Sequence, residues 1–111
     1  MARVTLDADT LATFRAFLEE MWMDNTEEEA LALWRRRIRR TPAYVDDALA
    51  ALDRVLADPP PDLREQLEQH GWIALRQREP AGQTPYTHDE TVDWLRAMTA
   101  RFRAVAQEQA R

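Results

Sequence analysis

Enzymes draw their nucleophiles, proton carriers and metal ligands from a short list of side chains, and this chain of 111 residues holds few of them. It has two histidines, His70 and His88, far apart in sequence, and neither serine nor cysteine. Threonine is left as the only small hydroxyl nucleophile. The histidines form no HxxxH or ExxH pair, and a transition-metal site needs three or four clustered ligands. With two glycines in all, no glycine-rich phosphate loop stands out. These residues predict no catalysis, no metal and no cofactor.

Charge is the chemistry that remains. The net charge is −5, unevenly spread. Residues 1–34 carry 8 acids and 2 bases, residues 35–40 hold five arginines, and residues 41–75 carry 7 acids and 2 bases. Every base is arginine. Such a balance points away from a general nucleic-acid or membrane binder and toward a cationic partner. Glu19, Glu20, Asp24 and Glu28 make the densest rim of acid, and Asp46-Asp47 adds adjacent carboxylates further on. Together with Trp22, placed where the acids meet an apolar stripe and suited to anchor an interface, they form the candidate partner-binding surface.

Each feature also has a plainer account. Glu27, Glu28 and Glu29 suit the positive end of a helix dipole, and the Arg35–Arg40 run suits the negative end. Acids at Glu19, Glu20 and Asp24 oppose the dipole, so helix grammar explains them less well. The arginine run could instead grip phosphate, which makes a small helical nucleic-acid-associated regulator the alternative. It lacks the interleaved aromatics of a stacking platform, since Trp34 and Ile38 are spaced for a core. Tryptophans at helical spacing usually serve the core.

The elements that must position these groups are helices. Leu11, Phe14, Leu18 and Met21 recur at steps of three and four, so they share one helical face. That helix is capped by Asp9 or Thr10 and runs to about Met23. Thr26 and Glu29 form a capping box for a second helix, with a stripe of Ala30, Leu31, Trp34 and Ile38. Pro42 ends it at Thr41 and opens a third, whose stripe is Val45, Leu49, Leu52 and Leu56 with Ala48 and Val55 beside it. Asp58-Pro59-Pro60-Pro61 stops that helix. A short fourth helix from Asp62 to Gln69 ends at Gly71, read as free to turn left-handed. Trp72 and Ile73 read as an anchor, Trp72–Gln77 as a possible extended segment, and Arg76 to Tyr86 as irregular chain. Thr87 and Glu90 box a fifth helix that frays near Gln107. The fold class is therefore all-α, one domain over residues 1–111, a bundle of five helices with Phe14, Trp34, Leu52, Leu95 and Phe102 buried. No apolar run approaches the roughly 20 residues of a membrane span, and no secretory signal opens the chain. The lack of cysteine fits a reducing compartment. A cytoplasmic protein is expected.

The order of parts has a counterpart. A Phe14…Phe17-Leu18 helix leads into "EEMWMDN" and then "TEEEALALW". "ALAALDRVLADPPPDLREQLEQHGW" follows, and a helix containing "ETVDWLRAMTARFRAV" closes the series. This order, from about Leu11 to Val105, resembles the small helical immunity proteins of bacterial contact-dependent growth inhibition systems. Members often carry an "FHQDW"-like segment after the first helix; here "LEEMWMD" takes its place, with Trp22 and Asp24 as partial matches. The resemblance implies a protein that binds a cognate toxin domain, usually a nuclease, and occludes its active site without catalysis.

Overall fold

The computed structural model describes residues 6–71 and 87–109. Five helices follow in order: α1 (Ala8–Trp22), α2 (Glu27–Arg40), α3 (Pro42–Ala57), α4 (Leu63–His70) and α5 (His88–Gln109). Among the described residues there is no strand. This is the expected all-α bundle. The expected anchor Trp72–Ile73, the extended segment Trp72–Gln77 and the irregular Arg76–Tyr86 stretch lie outside the described residues.

Both capping boxes form. Glu29 N–H donates to Thr26 Oγ1 at 3.2 Å while Thr26 N–H donates to the Glu29 carboxylate at 2.9 Å. Thr87 and Glu90 repeat the exchange at 3.1 Å in each direction. Two sequence expectations about helix ends are corrected. The cap of α1 is Asp7, whose carboxylate accepts from Thr10 N–H at 2.6 Å. Thr10 itself is buried and takes a hydrogen bond from Arg54, so its hydroxyl serves a tertiary contact. Gly71 ends α4 with φ −141°, not in the left-handed region. Its reason is close approach: a Cβ there would lie 3.2 Å from Leu18 Cδ2 and 3.4 Å from Trp22 Cβ.

The core is continuous. α1 packs on α2, α3 and α4, α5 packs on the same three, and the rings of α1 and α5 meet between them. Phe17 stands edge-on to Trp34 at 5.7 Å and to Phe102 at 5.6 Å, the T-shaped geometry aromatic quadrupoles favour. Trp34 Nε1–H donates to the Phe102 carbonyl at 2.9 Å, so this buried indole costs no unmade hydrogen bond. Phe14, Trp34, Leu52, Leu95 and Phe102 are all fully buried, as their spacing predicts. The α3 stripe is rotated from expectation: Val45, Ala48, Leu52 and Val55 are buried, while Leu49 and Leu56 are half-buried at its flank. Ala51 is buried on this helix as well.

Candidate functional site

The expected acidic rim comes apart when it is folded. A helix turns about 100° per residue, so neighbours in sequence face different directions. Glu19 reaches α4, where its carboxylate accepts from His70 Nδ1 at 2.7 Å. Glu20 reaches α2, where Arg37 holds it through Nε at 2.7 Å and Nη2 at 2.5 Å. The same guanidinium lies 4.4 Å from the Tyr44 ring centroid, a cation–π contact. Glu20, Arg37 and Tyr44 thus knit α1, α2 and α3 together. Burial, and after it the Glu20 carboxylate beside it, pushes the Tyr44 phenol up, although its buried hydroxyl closes no hydrogen bond.

Trp22 requires a correction. It is 1% exposed and stacks edge-on against Trp94 at 5.3 Å. A ring so enclosed presents nothing to a partner, and the apolar stripe of α1 is wide enough to take it inward. Its Nε1–H is buried without a hydrogen-bond partner.

Asp24, Glu28, Asp46 and Asp47 are exposed, and among the described residues none has an ionic partner. Exposed Asp9 is also without an ionic partner among the described residues, and its reading as a cap hides it in the sequence. Asp7, Asp9 and Asp47 line one shallow depression between α1 and α3, floored by Thr10, Thr13 and Ala51. Arg54 is its single base, paired to Asp7 at 3.0 Å. The Asp7 carboxyl is held below the usual range first by the Thr10 backbone N–H, then by the Thr10 side chain and Arg54. Asp46, about 100° round α3 from Asp47, is exposed but does not line the depression. Asp9, Asp46 and Asp47 are thus available along α1 and α3 and Asp24 and Glu28 at the α1–α2 turn, while Glu65 on α4 and Asp89 and Glu108 on α5 are likewise exposed without an ionic partner among the described residues.

Among the arginines, only Arg37 of the 35–40 run is paired; Arg35, Arg36, Arg39 and Arg40 are exposed without an acid among the described residues. A second recess of about 280 Å³ lies between α1 and the Pro59–Pro61 connection. Leu6, Leu11 and the prolines wall it, and Arg15 Nε–H donates to Gln66 Oε1 at 2.9 Å on its floor. Sequence spacing gave no signal for it, because its two walls are some fifty positions apart.

Among the described residues, no group of three or more His, Asp or Glu could hold a metal ion, and no helix is long and apolar enough to cross a membrane. No protein-family model, curated protein or solved structure matches the chain.

Proposed function

We propose that this protein is a non-catalytic immunity protein that binds a basic toxin domain and blocks its active cleft. The observation that carries the reading is the set of unpaired, exposed carboxylates along α1 and α3, Asp9, Asp46 and Asp47, extended by Asp24 and Glu28. A nuclease cleft is cationic because it holds phosphate, so a carboxylate surface competes for the same ground. Complementary charge raises the association rate and rejects wrong partners more than it adds affinity. The resemblance to immunity proteins of contact-dependent growth inhibition systems supports the same reading, as does the lack of serine and cysteine. Glu19 and Glu20 act here as internal ties between helices, and the partner meets the acids that those ties leave free. The protein works in the cytoplasm, where an incoming toxin meets its target.

The nucleic-acid reading of the Arg35–Arg40 run gains from four guanidinium groups that have no acid partner among the described residues. It loses because the exposed face of α2 that carries Arg35, Arg36 and Arg39 also carries Glu28 and Glu29.

The test is to express basic toxin-like domains drawn from the neighbouring genes with and without the protein. Growth rescue and a stoichiometric complex in vitro are expected. Absence of both binding and rescue refutes the immunity reading.

A further inference from the structure

The solvent face of α2 is self-complementary. Glu28, Glu29, Ala32, Arg35, Arg36 and Arg39 are all exposed. At about 100° per residue they lie within roughly 60° of a line through Ala32. Acids fill the first turn and arginines the last two, with a methyl group at the centre. Glu28 and Arg36 stand equally far from Ala32 on opposite sides, as do Glu29 and Arg35. Among the described residues none of the arginines has an acid partner, and Glu28 has none either. Glu29 spends one carboxylate oxygen on its capping box and keeps the other.

We propose that a second copy of this chain docks antiparallel on α2, about a two-fold axis passing beside Ala32. That operation sets Glu28 and Glu29 of each copy level with Arg36 and Arg35 of the other. A closed two-fold contact uses one patch twice, so a face that complements itself is what it requires. Ala32 at the crossing lets the two helices approach to the usual interaxial distance of about 8–10 Å. A long polyanion fits the same face less well, because two of its five charges are acid. One helix pair gives a small interface, and exposed ion pairs contribute little each. The dimer is therefore weak and strongly salt-dependent. Toxin binding engages α1 and α3 and shares only Glu28 with this face.

Sedimentation velocity of the full chain tests it. At about 0.01 M salt, where the screening length is ~30 Å, the chain self-associates; at about 1 M, with a length of ~3 Å, the association constant falls by roughly tenfold or more. Glu28→Arg leaves Glu29 as the only acid on a face with four arginines, and the pair Arg35→Glu with Arg36→Glu leaves Arg39 as the only base among four acids. Each variant alone is monomeric, and an equal mixture forms a heterodimer, an outcome that helix-dipole effects do not produce. Acid at a helix C-terminal end opposes the dipole, so Arg35→Gln with Arg36→Gln is the second variant, expected to weaken self-association while circular dichroism stays native. A wild-type chain that stays monomeric at low salt overturns the proposal. So does a mixture that fails to associate while both variants are folded. Retention of the wild-type chain on a DNA fragment, lost with the arginine variants and unaccompanied by self-association, assigns the face to a polyanion instead.

Discussion

At the residue scale the structure separates side chains that hold the fold from those left to meet a partner. Phe102 belongs to the first group: it touches the rings of Phe17, Trp22 and Trp34, and its carbonyl accepts the Trp34 indole proton. Phe102→Ala is expected to cost about 3–5 kcal/mol in chemical unfolding, the range for emptying a buried phenylalanine site. A loss under about 1 kcal/mol would place the ring outside the core. Asp7 ties the start of α1 to Arg54 of α3, and its carboxyl titrates below the usual range. A carboxyl lowered by folding contributes stability above its unfolded pKa and loses it as pH falls through the folded one. Wild type should therefore lose stability on acidification faster than Asp7→Asn, the two curves converging at low pH. Parallel acid-unfolding curves for the two chains would contradict this.

At the scale of elements, local grammar was legible and direction was not. The capping boxes at Thr26 and Thr87 need only residues three apart, so sequence alone placed α2 and α5. The cap of α1 was harder, because Asp7, Asp9 and Thr10 are all capable and the choice falls to Arg54, contributed by a distant helix. Trp22 was misplaced for a similar reason. Its burial depends on Trp94, which a helix far along the chain delivers. The acidic rim failed as one surface since Glu19 and Glu20, adjacent in sequence, bind His70 and Arg37 on different helices. Gly71 shows the same limit: its role is set by α1 lying against it. Its φ suits any residue, so Gly71→Ala gains some chain stiffness against a contact that the flexible Leu18 end can relieve. Its stability should stay within about 1 kcal/mol of wild type, whereas Gly71→Val, with branches directed at Leu18 and Trp22, should lose about 1–3 kcal/mol by overpacking. Equal thermal midpoints for the two variants would show that α4 does not rest on α1 there.

At the scale of the molecule, the described helices spread over 41 × 40 Å and are 19 Å deep. A body about two helices thick exposes one side of nearly every helix. Charge can thus differ from side to side: free acid along α1 and α3, and mixed charge on α2. The amounts of charge are legible in the sequence, whereas this distribution over the surface depends on how the helices pack. Reversing Asp46 and Asp47 to Arg should slow association with the toxin domain by about tenfold or more at low salt, within the range for electrostatic steering. The effect should shrink at physiological salt, where the screening length is about 8 Å. Stopped-flow rates that do not respond to the reversal would move recognition away from α3.

The Trp22–Trp94 contact carries an optical consequence. Two indoles at 5.3 Å with planes 75° apart are close enough for their electronic transitions to mix, which gives near-ultraviolet circular dichroism a paired signal that a single tryptophan does not produce. Trp22 lies at the last residue of α1 and Trp94 in the second turn of α5. The intensity of that signal reads out whether the end of one helix is seated on the start of the other. The chain carries its own label-free gauge of this joint, and any partner that pries α1 from α5 announces itself by extinguishing the signal before helicity is lost.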